Sequence, residues 1–239
     1  GKNGSPAYSN VDRIDFGNDT ATASPKGPLS ATKYGMAATG NTDFGYVGGK
    51  GPSTSGVSTI DRIDYSNDTA TASPKGPLSL ARAYLAATGN ASFGYFGGGY
   101  GTGNAPISTV DRVDYSNDTA TAVAKGPLSA ARYGAAATGN SSFGYFAGGY
   151  GKTLVDRVDY SNDTPTASPK GPLVRERYNY AASSSQANAV TGTAVFDASS
   201  VRPNVVPQGT DFGYFGGGKT PSSSDGLSIV DRIDYSNDT

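Results

Sequence analysis

Short apolar runs, each closed by Gly, Asn or Asp, recur along the chain, and within a run apolar and polar positions alternate with a period of two. That period places successive side chains on opposite faces of an extended strand. The clearest copy predicts four strands, Ala83–Thr88, Phe93–Gly97, Thr109–Tyr115 and a weaker one over Thr121–Leu128. TGN separates the first two, and SNDT at Ser116–Thr119 turns the third. No window sustains a period of 3.6, which argues against helical repeats.

The same pattern returns at a regular distance. VDRID or a variant of it begins at Val11, Ile60, Val110, Val155 and Val230, at intervals of 49, 50, 45 and 75 residues. One domain spanning 1–239 therefore divides into units at 11–59, 60–109, 110–154 and 155–229 with a partial unit at 230–239. The long interval holds an insertion over about 181–209 in place of the short AATGN turn. Four strands in roughly 45–50 residues is the measure of a β-propeller blade. The fold class expected is all-β, a β-propeller of four-stranded blades. Counting second strands predicts four blades and counting third strands predicts five, or a stretch of a longer array.

In FGYFGGG, Phe93 and Tyr95 share one face and Phe96 takes the other, so all three are expected to be buried between blades. The glycines then serve where neighbouring backbones crowd and where the exit turn needs positive φ.

Composition narrows the chemistry. Among 239 residues, 36% are hydrophobic, with 34 Gly and 14 Pro, which suits short strands and many turns. The formal charge of −1 creates no overall field to attract nucleic acid. His and Cys are both absent, which excludes disulfides, thiol nucleophiles, cysteine-held zinc and the usual general base. No apolar run reaches 18 residues and GKNGSPAYSN lacks an apolar centre, so neither membrane insertion nor a leader is expected from this sequence.

Recurrent polar motifs invite functional readings. In DYSNDT, Asp64, Ser66 and Asp68 alternate like the start of a calcium loop, but the following Gly and distal Glu are missing, so an Asx turn is expected and no metal. Asp61 and Asp64 fall on opposite faces of their strand, which disfavours a glycosidase pair. Arg62 and Asp64 share a face, and the pair recurs in each unit as a candidate link to backbone or to the next blade. Asn-x-Ser/Thr sites at Asn18, Asn67, Asn90, Asn117, Asn140, Asn162 and Asn237 read as turn residues. GGGYGTGNAP has no helix to follow and is not a phosphate loop.

The unit resembles the kelch repeat, a propeller blade, in three features taken in order: ARYGAAATGN from Ala131, FGYFAGG from Phe143 and VDRVDYSNDT from Val155. Tyr46, Tyr95, Tyr145 and Tyr214 match the family's second-strand tyrosine, and Asp15, Asp64, Asp114, Asp159 and Asp234 its third-strand aspartate. The chain departs from the family in having no Trp. DRIDYSNDTATASPKGPLS is also similar to kelch-type repeat sequences of marine viruses and bacteria.

The resemblance implies that Lys33, Arg82, Arg132 and Arg177, at the starts of the first strands, lie towards the ligand face with Tyr34, Tyr84, Tyr133 and Tyr178 beside or near them. Such a ring would hold an acidic peptide or sugar acid. The competing reading is that the cations cap carbonyls at the strand start. The function expected is a non-catalytic binding or structural module without cofactor, extracellular or on a virion as in a phage tail or fibre, with a protein or glycan ligand and self-association through unpaired terminal strands. The alternative is a lectin-like carbohydrate-binding propeller; a glycan-processing enzyme ranks below both.

Overall fold

Each TGN turn is closed by its own asparagine. Asn90 Oδ1 accepts the backbone N–H groups of Ser92 (3.0 Å) and Phe93 (2.9 Å), and Asn41 and Asn140 repeat the arrangement. The side-chain oxygen substitutes for a backbone acceptor and reverses the chain within three residues. The third strand ends in the same way: Asp64 Oδ1 accepts from the N–H (2.9 Å) and hydroxyl (2.6 Å) of Ser66, as Asp114, Asp159 and Asp234 do from Ser116, Ser161 and Ser236.

The computed structural model describes residues 7–49, 57–184, 212–222 and 226–237. Two short strands, β1 (Asp12–Arg13) and β2 (Ser24–Pro25), pair with each other. The first blade is β3 (Ala37–Gly40), β4 (Phe44–Gly48), β5 (Ile60–Asp64) and β6 (Ser73–Lys75), antiparallel and in chain order. The second is β7 (Ala86–Gly89), β8 (Phe93–Gly97), β9 (Val110–Asp114) and β10 (Val123–Lys125). The third is β11 (Ala136–Gly139), β12 (Phe143–Ala147), β13 (Val155–Asp159) and β14 (Ser168–Lys170). In the fourth, β15 (Ala181–Ser184), β16 (Phe212–Gly216) and β17 (Val230–Asp234) are described. Inner strands β3, β7, β11 and β15 pack in succession. The molecule is an all-β, four-blade propeller arrangement, and the helical segments among the described residues are single 3-10 turns.

The third strand is one residue shorter at each end than the sequence pattern, and strand limits depart further at two places. The first strand of the second blade begins at Ala86, because Tyr84 just ahead of it holds φ +55°. The fourth is only three residues long, because Gly126 turns its N–H to the Asp163 carbonyl of the next blade (2.8 Å). Most of the expected insertion lies outside the described residues; its flanks, β15 and β16, pair as first and second strands.

Burial explains the aromatic and glycine runs. Tyr95 and Phe96 are fully buried, whereas Phe93, expected to be buried with them, is half-buried beneath the Arg112 guanidinium, 4.5 Å from its ring. A Cβ at Gly97 would lie 2.6 Å from the Phe146 ring of the next blade, and one at Gly48 would lie 2.8 Å from Phe96. Glycine therefore lets each phenylalanine lie against the second strand of the blade before it. Gly97→Val is expected to cost about 1–3 kcal/mol by overpacking. Adding Phe146→Leu should recover part of that loss; urea unfolding of the single and double variants measures the coupling.

Candidate functional site

The cations expected at the starts of the first strands lie four residues ahead of them and point inward. Lys33, Arg82, Arg132 and Arg177 are each at most 3% exposed. Lys33 Nζ lies 3.0 Å from Asp61, Arg82 Nη2 3.0 Å from Asp111 and Arg132 Nη2 2.5 Å from Asp156, while Arg177 pairs with Asp231. Ser30, Ser79 and Ser129 donate 2.6 Å hydrogen bonds to the second oxygens of the first three carboxylates. Backbone carbonyls take further donors: Lys33 reaches Thr59, Arg82 reaches Phe96, Arg132 reaches Phe146 and Leu154, and Arg177 reaches Ile229. Burial lowers the pKa of Arg82, Arg132 and Arg177, and Asp111 and Asp156 oppose that shift for the first two. This geometry matches the carbonyl-capping reading, since the positive charge is spent inside the blade rather than offered to solvent.

A second recurrent cluster joins neighbouring blades. Asp118, at the end of the second blade's SNDT turn, accepts from the Tyr46 hydroxyl (3.0 Å) and Arg62 (2.8 Å) of the first blade, with Lys75 3.6 Å away. Asp163 repeats this with Tyr95 (2.9 Å), Arg112 (2.8 Å) and Lys125 (3.2 Å). The tyrosine ring of each leading blade also stacks on a tyrosine of the following one: Tyr46 on Tyr115 and Tyr95 on Tyr160 at 4.6 Å, and Tyr145 on Tyr235 at 4.9 Å. Arg62 and Asp64, read from the sequence as a pair, thus separate, the arginine linking blades and the aspartate capping its own turn. Asp68 faces Arg13 and Lys26 rather than converging with Asp64 on a cation.

The tyrosines near the buried cations come together. Tyr34, Tyr84, Tyr100, Tyr133, Tyr150 and Tyr178 form a continuous row across four blades, with successive ring centroids 6.4, 6.2, 3.9, 5.3 and 5.1 Å apart. The middle three rings stack and the outer ones meet edge to face. Tyr100 and Tyr150 come from the loops after the second strands, behind glycine pairs at positive φ, and Tyr150 N–H bonds to the Tyr133 carbonyl (3.1 Å). Beneath the row, Tyr84 N–H donates to Gly35 (2.6 Å), Gly134 to Tyr84 (2.8 Å) and Asn179 to Gly134 (2.8 Å). All four residues of this backbone ladder are left-handed. Burial, reinforced by hydrogen bonding to Tyr100, raises the Tyr133 phenol's pKa.

Four of the six rings were legible in the sequence; Tyr100 and Tyr150 were missed, although the GGY shared by the two loops was the available signal. The joint carboxylates Asp118 and Asp163 were missed behind the Asx-turn reading. No protein-family model matches the chain, and no curated protein matches it significantly. Among the described residues no helix is long and apolar enough to cross a membrane.

Asp163→Ala leaves Arg112, Lys125 and Tyr95 facing a lost partner and is expected to cost about 3 kcal/mol in urea unfolding, the low end for a buried pair that loses one member. A second expectation concerns pH. Burial raises the phenol pKa of Tyr46, Tyr95, Tyr115 and Tyr160 well above the ordinary value. Their contribution is complete below about pH 10 and is lost as pH rises towards the folded-state values, because only the unfolded chain releases those protons first. Ultraviolet titration should show these four phenols ionising only together with unfolding.

Proposed function

We propose that this propeller is a non-catalytic binding module of kelch type, displayed on a virion or cell exterior, and that its ligand lies along the tyrosine row. The observation that carries this reading is Tyr84. It occupies a left-handed position (φ +55°) where the first and third blades use Gly35 and Gly134. A bulky residue there costs of order 1 kcal/mol or more, and such strain concentrates where a side chain serves binding. Its ring is the one that connects Tyr34 to the rest of the row.

The recurrent charged residues support a non-catalytic reading, because Lys33, Arg82, Arg132 and Arg177 and their carboxylates hold one another and recur in every blade. A row of phenols, five half-buried and Tyr150 exposed, favours an uncharged ligand over an acidic peptide, which supports the lectin reading: phenol edges hydrogen-bond hydroxyl groups and exposed ring faces stack on sugar rings.

A glycan array followed by calorimetry tests this. A neutral oligosaccharide should bind, and Tyr150→Ala should weaken it by about tenfold, equivalent to about 1.4 kcal/mol. Tyr84→Gly should weaken binding while thermal stability stays within about 1 kcal/mol of the parent or rises, since glycine accepts the backbone conformation. Binding unchanged by both substitutions, or confined to a proline-rich peptide, would refute the glycan reading.

A further inference from the structure

We infer that the tyrosine row is an oxidation site at which Tyr100 and Tyr133 join through a carbon–carbon bond, a covalent staple between the second and third blades of a chain that has no cysteine. The chemistry needs no ligand on the row. The chain has 16 Tyr and no Cys, Trp or His, and its one Met is the other readily oxidised side chain. An external one-electron oxidant, whether a peroxidase using hydrogen peroxide or a photo-oxidised metal complex, therefore acts on phenols. Tyr150 is 44% exposed and opens the stacked part of the row to it. Each phenol gives one electron to the oxidant and its hydroxyl proton to water, leaving a radical whose unpaired electron is shared with the ortho carbons. The two unpaired electrons pair in a bond between ortho carbons, and the hydrogen on each of those carbons then moves to oxygen and restores the phenols. Two electrons and two protons leave in all.

Geometry selects the pair. Tyr100 and Tyr133 have the shortest ring separation among the described tyrosine pairs, with centroids 3.9 Å apart and planes 25° from parallel. Their side chains also hydrogen-bond, which brings the two hydroxyl ends together and with them the ortho carbons that flank each hydroxyl. Backbone bonds hold both residues in place: Tyr100 exchanges hydrogen bonds with Ala83 (2.7 and 3.0 Å), and the Tyr133 carbonyl accepts from Tyr150 N–H (3.1 Å). The stacked pairs at the blade joints are arranged differently. Tyr46, Tyr95 and Tyr145 are fully buried, away from an external oxidant. In the first two of these pairs the hydroxyls also part: Tyr46 donates to Asp118 while Tyr115 meets Thr39, and Tyr95 donates to Asp163 while Tyr160 meets Thr88.

Illumination of the dilute 239-residue chain with a ruthenium tris-bipyridyl complex and persulfate tests this. Trypsin cuts after Arg82, Arg112, Arg132 and Lys152, so a bond from Tyr100 to Tyr133 joins peptides 83–112 and 133–152 with the loss of two hydrogen atoms. Blue dityrosine fluorescence should appear at single-chain mass, and fragmentation of the joined peptide should place the bond at Tyr100 and Tyr133. The product should unfold at a higher temperature than the parent, because the cross-link restricts the unfolded chain. Tyr100→Phe and Tyr133→Phe keep the ring and remove the phenol; each should lose the joined peptide while its own thermal unfolding stays close to the parent's. Oxidation of the parent in urea, where the rings separate, should lose it too. A parent that forms no such peptide, or forms the bond at another pair or between separate chains, overturns the inference. So does a joined peptide that persists in either variant or undiminished in urea, or a product whose unfolding temperature is unchanged.

Discussion

The carboxylates of Asp118 and Asp163, in the SNDT turns of the second and third blades, hold the first three blades in order. Asp118 and Asp163 are largely withdrawn from water and each draws on a second-strand tyrosine, a third-strand arginine and a fourth-strand lysine of the blade before it. A buried carboxylate left unpaired is costly, so all three donors must reach one point together. That requirement couples the register of three strands in one blade to a turn in the next. A slip of one residue would send the tyrosine or the arginine to the wrong face.

Alternation and turn residues made the strands legible because both are local signals. Phe93–Gly97 is a strand at the residues the pattern predicts, since Asn90 and the glycines bound it directly in sequence. Partners distant along the chain were not legible. A cation at the start of a strand reads alike whether it meets solvent or a carboxylate, and Asp111 is 29 positions beyond Arg82. Tyr100 and Tyr150 sit in loops whose lengths differ, so nothing periodic pointed to rings that meet Tyr133 from either side.

The repeat also contains its own substitution series. Val47 stands where other blades have Phe96, Phe146 and Phe215; Ala147 stands where they have Gly48, Gly97 and Gly216; and Val174 replaces the serine that clamps the buried aspartate elsewhere. The joints persist through these changes, because the stacked tyrosines and the buried ion pairs carry the alignment independently of any one contact.

The ladder through Gly35, Tyr84, Gly134 and Asn179 makes the row above it a ruler. Each rung is a backbone hydrogen bond of 2.6–2.8 Å between adjacent blades, so the blade-to-blade step is set by peptide groups rather than by side chains free to change rotamer. The phenols are graduations on that scale. A polymer whose own repeat matches the step can contact successive blades at once, and each added contact then becomes intramolecular. Under the proposed binding along the row, a ligand of the same chemistry with a different repeat would meet one division and miss the next, so selection would operate on length as well as on composition.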